Sequence, residues 1–432
     1  MSRIANVVGR RIWDSRGRPT VEAEVWLDNG TWGRGIAPAG ASRGTREAIE
    51  LRDGGTRLEG LDVEKAVANV NSEIAAAIRG LDVYEQQRLD ETLIALDGTP
   101  DKSRLGGNAL TAVSLAALHA AAACAGQPLW RHLARGRPVS LPLPEIQVFG
   151  GGAHAGRRID IQDLMVMPLS ADSFSEALTM VAEVYMAAGR LMNDSGRKAG
   201  VADEGGWWPD FASNEEAIEM LLRAIETAGY VPGEQLAISL DIAASEFGTG
   251  GRYVLGLEKR ALDTDAWIDT LLRWTERFPI VSVEDPVAED DPDGMRAFTR
   301  AVDGRVQVIG DDFLVTNAAR VACAAADGAC NAVLLKPNQA GTITETLQAL
   351  EAARAAGWGT IVSARSGETE DTTIVHLAVG WNAGQLKVGS FARSERMAKW
   401  NEGLRIEEAL GGSAHFAGRR ALPIRQSDVI AE

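Results

Sequence analysis

The sequence predicts an α/β protein in two parts: a small α+β domain over residues 1–135, then a (β/α)8-type barrel over 140–432. Three observations predict it. Strand-like alternation in the first part gives way to helical periodicity, and a Pro-rich stretch from Pro138 to Pro144 then reads as a linker. Beyond it lie eight short apolar runs, most of them separated by helix-length segments. Six charged residues close strand-like runs there, at Asp241, Glu284, Asp311, Lys336, Arg365 and Lys387. Barrels of this kind carry their chemistry at the C-terminal ends of their strands.

In chain order, Val21 to Leu27 alternates apolar and polar side chains up to the Asp28-Asn29-Gly30 turn, which predicts a strand and hairpin. A Gly- and Ser-rich loop follows over Pro38 to Gly44. Val63, Val67, Val70, Ile74 and Ile78 mark one helix face, stopped by Gly80. Leu110 to Ala125 is Ala-rich and apolar nearly all round, so it predicts a buried helix that ends at Gly126. The eight runs lie at Ile146–Phe149, Leu164–Met167, Leu236–Leu240, Ile280–Val283, Val306–Ile309, Ala332–Leu335, Thr360–Val362 and Gln385–Val388. No internal repeat or low-complexity segment interrupts them.

Hydrophobic content of 45% and charged content of 24% suit a globular protein. No apolar stretch approaches the ~20 residues of a membrane span and no signal-peptide core opens the chain, so a cytoplasmic protein without membrane partners is expected. Cys124, Cys323 and Cys330 form no CxxC pair and read as reduced thiols. A net charge of −16 argues against nucleic-acid binding while leaving room for a small anionic substrate, which local cations would decide.

Asp241, Glu284 and Asp311 end three different runs, in SLDIA, SVEDP and VIGDD. Carboxylates converging on one mouth repel unless they bind a hard cation or take up protons, and oxygen-only ligands point to Mg²⁺ rather than zinc. Two readings stay open for Lys336 and Lys387. They are salt bridges balancing the acids, or one is a base with a lowered pKa and the other a carboxylate anchor. Arg365-Ser366 suits a phosphate, with a guanidinium fork and a hydroxyl. Glu204 and His154 each sit in a glycine-rich loop, a setting that favours a ligand site over a core position. Trp207-Trp208 reads equally as core packing or as an aromatic wall.

From end to end the text is similar to the enolase family. DSRGRPTVEAEV, GASRG, LRDGG, LDGT with Lys102-Ser103, GGNA, GGAHAG, DEGGWWP, LDIAASEF, VEDP, GDD, LLKPNQAGT, SARSGETED and ARSERMAKWN follow the family's order. The resemblance implies an N-terminal α+β cap, a modified TIM-type barrel with one reversed strand, and a homodimer. It implies Lys336 as the base that removes the α-proton of 2-phosphoglycerate and Glu204 as the acid assisting departure of the 3-hydroxyl. Asp241, Glu284 and Asp311 would hold one Mg²⁺, and Ser42 would close a lid over a second. Lys387 would bind the substrate carboxylate, and Arg365 with Ser366 the phosphate. His154 belongs with the catalytic groups, as does Asp163, with Gln162 beside it at the substrate.

Several positions depart from the family. A histidine expected at the substrate is Ala364, and the glutamate of the family's QEF motif is Asp163, shorter by one methylene, roughly 1.5 Å. The lid loses a hydroxyl and gains Arg43, which adds charge for another anionic group. Pro337 and Ala340 flank the base lysine, and Trp207-Trp208 replaces smaller residues. Neutral drift in an ordinary glycolytic enolase is one explanation. The other is a specialised branch resembling the carboxyphosphonoenolpyruvate synthases of phosphinate antibiotic pathways, whose second substrate is a nucleotide-activated phosphonoformate. A catalytically dead fold used for binding is a third reading.

Overall fold

The computed structural model describes residues 2–425. The chain opens with an antiparallel meander of β1 (Ile4–Trp13), β2 (Pro19–Leu27) and β3 (Trp32–Ile36). The alternation of β2 does not leave one face wet. Its charged positions, Glu22 and Glu24, are buried beneath Arg10 and Arg34. The other face receives the helix Gly107–Cys124. Small residues on both sides allow this contact: a Cβ on Gly33 would lie 2.1 Å from the Ala120 amide nitrogen. By length and composition this 18-residue helix could cross a membrane, contrary to the expectation that no stretch comes close. With 83% of it buried inside the protein, it is a core helix.

Val63, Val70, Ile74 and Ile78 are fully buried along one helical segment, as their spacing predicts. That segment contains a π turn over Val70–Ile74, where the Asn71 side chain bonds both the N–H and the carbonyl of Gly9 on β1, at 2.8 and 2.9 Å.

All eight apolar runs become barrel strands. They are β4 (Leu143–Gly150), β5 (Asp163–Pro168) and β6 (Leu236–Asp241) and, after a small outer sheet of β7 (Gly248–Thr249), β8 (Arg252–Leu255) and β9 (Arg260–Asp263), β10 (Ile280–Glu284), β11 (Gln307–Gly310), β12 (Ala332–Leu335), β13 (Gly359–Ser363) and β14 (Gly384–Ser390). They close in the order β4-β5-β6-β10-β11-β12-β13-β14. β5 is antiparallel to both neighbours and every other pairing is parallel. The cause is local: residues 151–162 form a short 3₁₀ turn and loop rather than a crossover helix, so the chain reverses between β4 and β5.

That reversal positions the site. On β5 the first residue, Asp163, lies at the end of the barrel where the parallel strands finish, paired in register with Asp241. Two helices, Phe174–Asp194 and Asn214–Thr227, then run up and down before β6, so the loop joining them returns to the same end and carries Glu204 there. Lys387 does not close its strand, because β14 continues through Ser390.

Cap and barrel have separate hydrophobic cores and meet at a buried seam. There Asp90 accepts from Ser114 Oγ and Thr344 Oγ1 at 2.6 Å each, and from the Thr344 amide at 2.9 Å. Burial raises its carboxyl to about 6. These bonds tie the cap to the N-terminus of the barrel helix Ile343–Ala355.

Candidate active site

Lys336 follows β12 directly. Pro337 does not end regular structure but opens a short helix, Pro337–Ala340, where a missing N–H costs nothing. The Lys336 ammonium pairs with Asp311, whose other oxygen accepts from Gln339 Nε2 at 2.8 Å. Asp311 is itself positioned by Asp285, which accepts the Asp311 and Asp312 amides at 2.9 and 2.7 Å. The backbone is strained beside this turn: Asp285, Val315 and Thr316 all have positive φ, and the last two are β-branched. Thr316 is held by the Lys336 amide, at 2.9 Å, and by Gln339.

Lys387 lies at the centre of the acids. Its Nζ is 2.7 Å from Asp241, 2.9 Å from Glu284 and 3.3 Å from Asp163, and Gln162 Nε2 donates to Asp241 at 3.1 Å. Burial disfavours the ammonium, but three carboxylates outweigh it and push Lys387 well above the usual lysine value. Burial, reinforced by Asp241 against the pull of Lys387, holds Glu284 well above the carboxylate range. Lys336 is also raised rather than lowered, because Asp311 and Glu284 overcome both burial and the repulsion of Arg365 and Lys387.

His154 is buried between two carboxylates, with Nδ1 3.2 Å from Asp163 and Nε2 3.9 Å from Glu204. Burial lowers its pKa, but the two acids win and leave it raised. The shortened Asp163 still reaches its neighbours, touching His154, Lys387 and Gln147 together. Despite burial, Lys387 and His154 hold it below the carboxylate range. Glu204 is presented by a turn that only glycine can follow: Gly205 has φ +94°, and a Cβ there would lie 2.5 Å from the Ala392 carbonyl oxygen.

The loop over Ser363–Asp371 is clamped from two sides. From the cap, Arg365 is gripped by Glu47 at 2.9 and 3.2 Å and by the Ser42 carbonyl at 3.0 Å, while the Ala41 amide donates to Ser366 Oγ at 2.6 Å. From the last barrel helix, Ser394–Leu410, the fully buried Arg396 donates to the carbonyls of Arg365, Val388 and Ser366 at 2.7, 2.8 and 2.5 Å. Lys399 holds Glu368 at 3.0 Å. Arg365 therefore spends its terminal nitrogens on the protein, and Nε–H has no protein partner among the described residues.

One pocket of about 310 Å³ is lined by Lys336, Lys387, Arg365 and Ser366 together with Glu204, His154, Asp163, Gln162, Asp241, Ser42 and Ala364. One expectation fails and one open alternative is decided. Arg43 is exposed, 3.7 Å from Glu50, and does not line the pocket. Trp207 is no wall of this pocket. It stacks on Tyr185 with ring centroids 4.8 Å apart, and its indole N–H donates to the Tyr185 carbonyl at 2.9 Å. The sequence reading missed Glu47, Gln147, Asp285 and Arg396. Arg396 and Asp285 do lie in motifs already singled out, ARSERMAKWN and VEDP.

Residues 4–133 match the family described as enolase, N-terminal domain, and residues 138–424 that described as enolase, C-terminal TIM barrel domain. The chain belongs to the enolase family. Its barrel with a single reversed strand is what that membership implies. As in other enolase-family sites, the acids could bind metal. Among the described residues, His154–Asp163–Glu204 and Asp285–Asp311–Asp312 each bring ligand atoms within 4.8 Å of one another. Asp241, Glu284 and Asp311 do not form so tight a group, because Lys387 stands between the first two and Lys336 takes the third. Their donor set is nonetheless all oxygen, and Glu284 Oε1 is buried without a partner, which fits a hard cation.

Proposed function

We propose that this enolase-family chain is a Mg²⁺-dependent enzyme that removes the α-proton of 2-phosphoglycerate, or a close analogue, to form an enolpyruvate product. The branch we propose is the specialised one, like carboxyphosphonoenolpyruvate synthase with its nucleotide-activated phosphonoformate. The observation that carries the reading is the shared pocket of Lys336, Glu204, Lys387 and Arg365, with the small Ala364 side chain in the same wall. Lys336, acting as the neutral amine, takes the C2 proton onto Nζ, and the electron pair moves into the substrate carboxylate, which Lys387 would bind. Asp241, Glu284 and Asp311 would hold one Mg²⁺ and Ser42 would help hold a second. When bound, Mg²⁺ supplies positive charge where negative charge develops on the substrate. Arg365 Nε–H and the Ser366 hydroxyl are the donors left for the phosphate. Glu204, beside His154, would hold the proton needed at the 3-hydroxyl.

The room at Ala364 supports the specialised branch, because a methyl group leaves space where a substrate-contacting imidazole is expected. Retention of Glu204 in the pocket favours the second reading, an ordinary hydratase giving phosphoenolpyruvate. The Ala364→His variant separates them. Restoring the ring is expected to raise conversion of 2-phosphoglycerate to phosphoenolpyruvate about tenfold or more, the scale of one well-placed polar group. A rate lowered by this substitution would sink the specialised reading.

A further inference from the structure

Away from the active site, a cleft of about 1460 Å³ opens at the seam between the cap helices and the barrel helix Ile343–Ala355. About 540 Å³ of it is enclosed, within the roughly 300–1,000 Å³ of ordinary small-molecule pockets, so it can hold a small ligand. Its floor is apolar, formed by Leu118, Leu133 and Leu347. Its rim is cationic: Arg135, Arg137 and Arg354 line it together with His132, and Glu351 is the one carboxylate among the lining residues.

The arginines are not balanced by the protein. Among the described residues none of the three has a carboxylate oxygen within 4.0 Å. The cavity beside Lys102 and Arg46 shows the contrast, since those cations pair with Glu345 at 2.6 Å and with Glu289 at 3.6 Å. The guanidinium of Arg354 is fixed instead by the carbonyls of Trp381 and Asn382, the latter at 2.9 Å, and Arg137 Nε donates to the Ala134 carbonyl at 3.1 Å. Backbone carbonyls orient these groups without neutralising them. Arg354 is lowered from the usual arginine value first by burial and then by the charge of Arg137, which Glu351 offsets only in part. Holding like charges together over an apolar floor, in a chain of net charge −16, costs free energy that an anion would recover. Tyr84 stands at the edge with nearly half its surface exposed, its ring 6.3 Å from that of His132, so the two rings offer a flat apolar group an aromatic corner.

We propose that this cleft is a second binding site, for an organic phosphate carrying an aromatic or other flat apolar group. The arginine forks take the phosphate oxygens, and Tyr84 with the apolar floor takes the ring. Nothing in this inference depends on the reaction proposed for the barrel.

ATP serves as the probe, titrated calorimetrically into the full chain at low ionic strength, with adenosine and inorganic triphosphate as its separated halves. ATP is expected to bind at one site, more tightly than either half. Arg137→Ala with Arg354→Ala is expected to weaken ATP at least about tenfold, since hydrogen bonds to charged groups are lost. Arg354 also ties down a helix end, so Arg135→Glu with Arg137→Glu, at exposed positions, provides a second test in a protein whose fold is checked by circular dichroism. No ATP binding, or equal affinity in wild type and in Arg135→Glu/Arg137→Glu, would overturn the proposal. So would retention of polyglutamate without ATP, which would mark the cleft as a surface for acidic protein segments.

Discussion

Lys336→Ala is expected to abolish exchange of the substrate α-proton, with a loss on the order of 10⁴-fold, the upper range for removing a positioned general base. Charge alone does not explain the site, and a second variant shows why. Lys336→Arg keeps a cation beside Asp311, but a guanidinium does not give up its proton at accessible pH, so it cannot take one from carbon. Both variants should therefore be inactive, while Lys336→Arg retains more of the wild-type stability because the buried Asp311 carboxylate keeps a partner. Proton exchange followed by NMR and unfolding in denaturant check the two halves. If Lys336→Arg stayed active, Lys336 would be a charge partner and the base would lie elsewhere.

Arg396→Met is expected to destabilise the protein by about 3–5 kcal/mol, the range for breaking a fully buried charged interaction. The guanidinium is 0% exposed and donates to three carbonyls, so the substitution removes all three bonds and leaves the Ser366 carbonyl only a 3.4 Å bond from Ser15 Oγ. The loss should reach the chemistry too. Two of the three acceptors belong to Arg365 and Ser366, so KM for a phosphorylated substrate should rise even in the folded population. Arg396→Lys, with one point charge in place of a fork, should recover part of the stability. A loss below about 1 kcal/mol in Arg396→Met would remove Arg396 from the account of how this loop is held.

How legible the site was depended on the direction of each strand. Asp241, Glu284, Asp311 and Lys336 could be read because parallel strands end abruptly in charge where the barrel opens. Asp163 could not be read that way. Its strand is reversed, so the group at the mouth is the first residue of the run, and only the family resemblance brought it forward. Arg43 was placed wrongly because residue type carries no direction. Its loop puts the largely buried Glu50 within 3.7 Å of the exposed Arg43, and that pairing holds the guanidinium away from the pocket. Trp207 stays open between packing and a pocket wall because nearness to Glu204 in sequence gives no direction, and beyond the turn at Gly205 its ring stacks on the buried Tyr185. Arg396 and Lys399 were invisible as site residues. On a helix pattern they resemble solvated surface positions, and the carbonyls that draw them inward belong mostly to a loop some thirty residues earlier.

The raised Lys336 pKa is what the protein's own groups produce, whereas the lowering read from sequence invoked a bound metal together with the neighbouring lysine. Sequence order places Lys387 nearby as a repelling charge, but the fold places Asp311 nearer still, and contact distance decides the sign.

The most direct test of proton abstraction is to incubate the protein with 2-phosphoglycerate and Mg²⁺ in D₂O and follow the proton and phosphorus NMR spectra together. The C2 proton signal is expected to disappear by exchange while phosphoenolpyruvate accumulates only slowly. Rapid phosphoenolpyruvate formation would retain the base and replace the specialised branch with an ordinary hydratase. A C2 proton that persists, with no new phosphorus signal, would contradict the central claim that Lys336 abstracts it.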